Sequence, residues 1–121
     1  MKLTLILMSF LSLLFGDKLQ QSDAITILDR DAFKSAIATP GVQLIDVRTA
    51  NEYSSGHIAK AQNIDYFKTS EFTTKVNKLD KDKPVYLYCR SGNRSQRAAA
   101  KLDSLGFKII FDLEDGYNNW K

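Results

Sequence analysis

Residues 84–105 read PVYLYCRSGNRSQRAAAKLDSL and join a strand pattern to a helix pattern. Residues 84–88 are rich in β-branched and aromatic side chains, which predicts a buried strand. Apolar residues three and four positions apart predict a helix over 95–105, which a glycine then ends. A polar loop, 89–94, separates the two elements. The chain's only cysteine, Cys89, therefore follows directly after a strand and lies shortly before a helix.

Short apolar runs alternate with helical patterns along the rest of the chain. We predict strands over 25–28, 42–47, 61–64, 84–88 and 107–113, with helices that begin after Asp29, after Thr49, at Ser70 and at Ser95, and a helical turn over 116–120. This alternation predicts an α/β fold, with a central, mainly parallel sheet of about five strands and helices on both faces. Ligand sites of such sheets lie beyond the carboxyl ends of the strands, where Cys89 falls.

Composition excludes several classes of function. A chain of 121 residues with 44% hydrophobic and 26% charged residues is typical of one soluble globular domain. The net charge of +3 comes from bases spread along the chain, so we expect no nucleic-acid binding. One cysteine and one histidine, His57, cannot form an internal disulfide or a Cys/His metal site. We therefore expect no metal. We also expect no organic cofactor. Helices on both faces of the predicted sheet leave no obvious surface for association, so we expect a monomer.

The amino terminus has the pattern of an export signal. Lys2 is followed by thirteen uncharged residues, 3–15, a run too short to span a bilayer comfortably but suited to a signal-peptide core. We predict a signal peptide over 1–24 and a single domain over 25–121. The cleavage site is not fixed by the sequence. The protein is then periplasmic or secreted, and an uncleaved segment that anchors it to a membrane is the alternative.

The residues around Cys89 favour a reactive thiolate. We expect the loop to expose the sulfur at the edge of the sheet, with backbone N–H groups and a helix amino terminus directed at it. Arg90 and Arg94 add two permanent positive charges. Gly92 allows a backbone conformation closed to most residues. These features favour the thiolate and bind anions, whereas a buried structural cysteine before a polar turn would leave both arginines unexplained.

The segment CRSGNRS, residues 89–95, resembles the active-site loop of the rhodaneses, which transfer sulfur from thiosulfate. Three further groups match the same family: Asp46-Val-Arg48 with Glu52-Tyr53, then Gly56-His57-Ile58, and the closing Leu113, Gly116 and Trp120. The resemblance runs from about residue 25 to the end of the chain. Three positions differ from the family pattern. Lys60 and Asp115 stand where the family usually has glycine, and Asp65 stands where it usually has proline.

The resemblance implies a mechanism and a set of site residues. Cys89 attacks the outer sulfur of thiosulfate, releases sulfite and becomes a persulfide, which a thiol, cyanide or a thioredoxin-like or carrier protein then accepts. The implied substrate-binding residues follow the cysteine: Arg90, Ser91, Gly92, Asn93, Arg94 and Ser95. Ser95 is expected to cap the helix and orient the loop. Asp46 and Arg48 are expected to support the site, with Asp46 approaching the loop, while His57 has a structural role.

Two other functions remain open at this level. Cysteine-dependent phosphatases and arsenate reductases also use a strand–loop–helix anion site, but tyrosine phosphatases place five residues between the cysteine and the arginine. Only four separate Cys89 from Arg94, and a tighter loop suits a sulfur atom better than a tetrahedral phosphate. The other alternative is a non-catalytic sulfur carrier or binding module. The retained cysteine, arginines and Gly92 argue against a degenerate site.

Overall fold

The computed structural model describes residues 22–121. Most of the predicted signal peptide, residues 1–24, lies outside the described residues. The strands are β1 (Ile25–Leu28), β2 (Gln43–Asp46), β3 (Gln62–Asn63), β4 (Val85–Tyr88) and β5 (Ile110–Leu113). The helices are α1 (Arg30–Ile37), α2 (Ala50–Ser54), α3 (Thr69–Val76) and α4 (Asn93–Ser104), and a 3₁₀ helix spans Gly116–Asn119. None of the helices within this range is long and apolar enough to cross a membrane.

The five strands form one parallel sheet in the order β1-β5-β4-β2-β3. The predicted α/β fold with a five-stranded parallel sheet is confirmed. One core cluster packs α3 and α4 against the sheet through Phe72, Val76, Ala98 and Leu102. The opposite cluster is built around Phe33 of α1. Both faces of the sheet are therefore covered, and the carboxyl ends of the strands remain for a site.

Helix starts follow the capping signals in the sequence. Asp29 accepts a hydrogen bond from the Ala32 amide, and Thr49 forms a complete capping box with Glu52. Helix α4 differs from its prediction, because it begins at Asn93 rather than at Ser95. Its N-cap is Gly92, whose left-handed φ of 106° turns the chain from the loop straight into the helix.

The last predicted strand, residues 107–113, is shorter in the structure. Strand β5 begins at Ile110. The amide of Phe107 instead donates to the Leu102 carbonyl, and that of Lys108 donates to Lys81. Residues 107 and 108 therefore connect α4 to the sheet, and the first contact with β4 is the hydrogen bond from the Val85 amide to the Ile109 carbonyl at 3.0 Å.

Two departures from the family pattern preserve its backbone shape. Lys60 and Asp115, which stand where the family has glycine, adopt positive φ angles of 71° and 61°. Left-handed backbone costs a non-glycine residue roughly 1 kcal/mol. The turns therefore keep the glycine-like conformation at a small energetic cost.

Candidate active site

Cys89 follows β4 and turns its side chain beneath the loop. The residue is only 1% exposed, so the prediction of a sulfur exposed at the sheet edge is wrong. The reason is packing, because Cys89 belongs to the core cluster on the α4 face of the sheet. It also lines a cavity of about 200 Å³ whose other walls are Phe67, Ser91, Asn93, Arg94 and Arg97. Access to the sulfur is therefore through this cavity.

Two polar groups of the loop contact the sulfur. The Gly92 amide donates a hydrogen bond to Cys89 Sγ at 3.1 Å. The thiol lies 3.4 Å from Ser95 Oγ, in a geometry in which Sγ–H donates to the hydroxyl. The amino terminus of the twelve-residue helix α4 lies beside this sulfur. An amide and a helix dipole directed at one atom favour negative charge on that atom.

Ser95 does not cap the helix, contrary to the prediction. It is the third residue of α4, is fully buried and donates its hydroxyl proton to the Gly92 carbonyl at 3.1 Å. Gly92 takes the N-cap position without a side chain. Ser95 thus holds the loop by bonding to the residue before the helix, and its oxygen contacts Cys89.

The 3₁₀ helix at the end of the chain fixes the loop from outside. The Tyr117 amide donates to the Cys89 carbonyl at 2.8 Å, and the Asn118 amide donates to the Arg90 carbonyl at 3.0 Å. A Cβ atom on Gly116 would lie 2.6 Å from the Cys89 carbonyl oxygen. Only glycine permits this close approach of two backbone segments.

Arg94 is held by an acid from the other side of the sequence. Its two Nη atoms donate to the Glu52 carboxylate at 2.7 and 3.3 Å. The hydrogen bonds from Arg94 lower the pKa of Glu52 to about 2, against the opposing effect of burial. The same pair raises the pKa of Arg94. The guanidinium also lies 4.8 Å from the centre of the Phe67 ring.

The cavity is lined by Arg97, which the sequence analysis did not name, and not by Arg90. Arg90 is exposed and is not among the residues that line the cavity, whereas Arg97 does line it. Arg97 lies three positions after Arg94 on α4, and such residues share one helix face. That spacing was the signal by which Arg97 could have been found. Ser91, Asn93 and Arg94 also line the cavity.

Asp46 and Arg48 form a buried ion pair beneath the site. Arg48 Nη2 lies 2.7 Å from Asp46 Oδ2, and the same nitrogen donates to the Gly56 carbonyl at 2.7 Å. The Asp46 carboxylate is held by Arg48, and Asp46 pairs in register with Tyr88, the residue before Cys89. The acid that binds an arginine of the loop is Glu52, which the sequence analysis named only as part of an early family motif.

His57 takes no part in the cavity. Its ring stacks on Tyr53 with centroids 3.6 Å apart, and its Nδ1 lies 2.8 Å from the Tyr53 carbonyl oxygen. Within residues 22–121, no cluster of three or more acidic, histidine or cysteine side chains could hold a metal ion. With the Gly92 amide at its sulfur and a cavity before it, Cys89 is placed for nucleophilic attack.

Comparison with known proteins places this site in a family. The model of the rhodanese-like domain matches residues 29–121. The chain is 34% identical over 116 residues to the uncharacterized protein YqhL of Bacillus subtilis, covering 96% of this chain and 88% of that protein. It is 36% identical over 86 residues to the thiosulfate sulfurtransferase GlpE of Pseudomonas fluorescens, covering 71% and 76% of the two chains. The crystal structure of a rhodanese-related protein from Thermoplasma volcanium superposes with a TM-score of 0.66 at 32% identity, over 77% of this chain and 87% of the other.

Proposed function

The chain belongs to the rhodanese-like family, and from that premise we propose that it is a sulfurtransferase that moves a sulfane sulfur from thiosulfate, or from a persulfide donor, to a thiol or cyanide. The observation that carries the proposal is the free Cys89 thiol in its cavity, with the Gly92 amide 3.1 Å from the sulfur. A donor bond that ends on the sulfur itself stabilises a thiolate and equally a persulfide anion.

The reaction divides into two displacements on sulfur. In the first, a lone pair of the Cys89 thiolate attacks the outer sulfur of thiosulfate. A new S–S bond forms, the S–S bond of thiosulfate breaks, and sulfite leaves with its electron pair. In the second, the acceptor attacks the outer sulfur of the Cys89 persulfide and the thiolate of Cys89 leaves. No net redox reagent is needed, and two half-reactions through one covalent intermediate give ping-pong kinetics.

Arg97 is the cation best placed for the sulfonate end of the donor. Arg97 makes no ion pair with any acid in residues 22–121, whereas Arg94 is paired with Glu52. A guanidinium presents several donors to oxyanions in a fixed planar arrangement. Arg94 contributes mainly by its charge and by shaping the wall, since both of its Nη atoms already bind Glu52.

The same pairing disfavours phosphatase chemistry. A phosphatase needs the arginine of its loop to bind two oxygens of the transferring phosphoryl group. Glu52 accepts an N–H from each Nη atom of Arg94, so the guanidinium edge that spans the two Nη atoms faces the protein's own carboxylate. Transfer of a single sulfur atom to Cys89 requires no bidentate arginine.

Initial-rate kinetics test the proposal. Sulfite release is measured over a grid of thiosulfate and cyanide concentrations, with the Cys89→Ser variant as control. We expect parallel double-reciprocal lines and no transfer by the variant. Intersecting lines, or transfer retained by Cys89→Ser, would reject the persulfide route. Replacing cyanide by a thiol or a thioredoxin-like protein in the same assay ranks acceptors.

We also propose that residues 1–24 direct export, with membrane attachment only if the segment stays uncleaved. Support comes from the uncharged run at 3–15 after Lys2. Fractionation of cells that express the full chain, with mass measurement of the product, tests this. A shortened protein in the periplasm or medium is expected. A full-length product in the cytoplasm would contradict export.

A further inference from the structure

Asp112 is a buried acid directly behind the catalytic loop. It lies on β5, where it pairs in register with Ile27 of β1 and Leu87 of β4. The residue is 1% exposed. Residues 110 and 112 share one face of the strand, and Ile110 packs in the same cluster as Cys89 and the apolar face of α4. Asp112 therefore projects beneath α4 on the same side of the sheet as Cys89.

The carboxylate of Asp112 is not satisfied by its surroundings. Its Oδ1 is fully buried and has no hydrogen-bond partner in the described part of the chain. Burial raises the pKa of Asp112 to about 6, and the nearby Ser95 hydroxyl opposes that rise. An unpaired buried acid destabilises a fold, so an apolar or amide residue would be the better structural choice at this position.

Ser95 connects this acid to the sulfur. Its hydroxyl oxygen lies 3.4 Å from Cys89 Sγ and beside the Asp112 carboxyl. A hydroxyl has one proton to donate and can accept at its oxygen, so its orientation depends on its neighbours. The Ser95 proton now points to the Gly92 carbonyl at 3.1 Å, one of several acceptors within its reach.

We infer that Asp112 is a positioning residue for Cys89, whose charge, acting through the Ser95 hydroxyl, sets how readily the loop holds negative charge on the sulfur. When Asp112 carries its proton, it can donate to Ser95 Oγ, and the Ser95 proton is free to turn to the sulfur. When Asp112 is ionised, it attracts the Ser95 proton and places a second negative charge near the sulfur. Like charges that share a buried site oppose each other's ionisation.

Few other charges can disturb this coupling. On the two neighbouring strands, the residues opposite Asp112 are apolar, Ile27 and Leu87. On α4, Arg94 is turned to Glu52, and Arg97 and Lys101 are exposed. Burial and the Ser95 hydroxyl act on the protonation of Asp112. Within residues 22–121, Ser95 connects it to one titratable side chain, Cys89.

Alkylation by iodoacetamide measures the effect directly. Cys89 is the only cysteine, so loss of free thiol reports this residue alone. The rate is followed from about pH 4 to about pH 10 for the wild type, Asp112→Asn and the exposed control Glu114→Gln. Asp112→Asn should raise the rate about tenfold near pH 7, the effect of a one-unit shift in ionisation. The two rates should converge below pH ~5, where Asp112 is protonated, and again at high pH, where the thiolate is complete.

A merely structural role predicts a different pattern. Loosened packing would change the alkylation rate by one factor at every pH, and that result, like an unchanged or lowered rate near pH 7, would overturn the inference. Glu114→Gln should follow the wild type. In a Ser95→Ala background the effect of Asp112→Asn should shrink, and an undiminished effect would reject Ser95 as the connection.

A second measurement keeps the wild-type residue at 112. Iodoacetate attaches a carboxylate to Cys89, whereas iodoacetamide attaches a neutral amide of nearly the same size. The carboxyl carbon resonance of Asp112 should titrate at higher pH in the first derivative than in the second, because coupling is reciprocal. Equal midpoints would contradict the inference. The inference builds on the sulfur that the proposed function uses, but neither measurement requires sulfur transfer, so the two can fail separately.

Discussion

Glu52 Oε1 lies 2.7 Å from Arg94 Nη1, which joins the start of α2 to the start of α4 across the mouth of the site. The same Oε1 accepts a hydrogen bond from the Thr49 amide at 3.0 Å. One carboxylate therefore completes the capping box of one helix and fixes Arg94, which follows Cys89 by five positions. The position of Arg94 depends on an early motif that is remote in sequence.

Replacing Glu52 with Gln should destabilise the fold in a pH-dependent way. At pH 7 we expect a loss of about 1–2 kcal/mol in the free energy of unfolding, since the pair is hydrogen-bonded but partly exposed. The pKa of Glu52 is lowered from 4.5 to about 2. Its contribution is therefore complete above pH ~4.5 and is lost as the pH falls toward about 2. Urea unfolding at pH 7 and near pH 3 measures the difference.

Glu71→Gln is the matched control for that measurement. Glu71 forms a long pair with Lys68 at 4.0 Å, and its side chain is 58% exposed. We expect a change below about 0.5 kcal/mol at either pH. A loss for Glu52→Gln that is equally large near pH 3 would show that it does not arise from the charge.

Arg97→Ala should impair thiosulfate use more than Arg90→Ala. Arg97 lines the cavity, and Arg90 does not. For Arg97→Ala we expect kcat/KM to fall about 3- to 10-fold, mainly through KM, because an exposed charge–anion contact is worth about 1 kcal/mol. Arg90→Ala should stay within about twofold. Equal losses of kcat/KM in both variants would show that Arg90 also acts on thiosulfate and would contradict the special role of Arg97.

Gly116→Ala should unfold or strongly destabilise the domain. The added Cβ would meet the Cys89 carbonyl oxygen at 2.6 Å, and backbone cannot move aside cheaply. We expect a loss of about 3 kcal/mol or more, with reduced transfer. Gly41→Ala is the control, since Gly41 also has positive φ but no atom within 4 Å of the new Cβ. It should cost only about 1 kcal/mol. Similar thermal unfolding of both variants would show that the close approach is not needed.

Asp112 should give the domain an unusual dependence of stability on pH. The pKa of its buried carboxyl is raised from 3.8 to about 6. The folded state then holds a proton that the unfolded state has lost, so its contribution is complete below pH ~3.8 and is lost as the pH rises through about 6. The difference is on the order of 2–3 kcal/mol. Urea unfolding of Asp112→Asn should lack this slope between about pH 4 and pH 7, and an unchanged slope would contradict the assignment.

The order and type of the elements could be predicted because each is encoded locally. Apolar runs, the caps at Asp29 and Thr49 and the glycine stop after α4 depend on near neighbours in sequence. Element boundaries are less local. The start of β5 depends on which amides find partners in Lys81 and Leu102, and neither contact has a sequence signature. The prediction therefore succeeded for the fold and failed at the ends of elements.

The sequence predicted which loop carries the candidate site, but it did not predict which side chains line the cavity. Because α4 begins two residues earlier than predicted, Arg94 lies in its first turn and shares one helix face with Arg97, three positions later. Arg90 precedes the helix and does not line the cavity, whereas Arg97 does. The burial of Cys89 depends on core packing and on the 3₁₀ helix at the end of the chain, which are contacts between distant segments. Asp112 carries no motif, and only its unpaired buried oxygen distinguishes it.

Intact-protein mass spectrometry after brief exposure to thiosulfate detects the Cys89 persulfide itself. We predict a mass gain of one sulfur atom, which cyanide or a thiol reductant removes and which the Cys89→Ser variant never shows. A folded protein with a free Cys89 thiol and no sulfur adduct would contradict the persulfide mechanism.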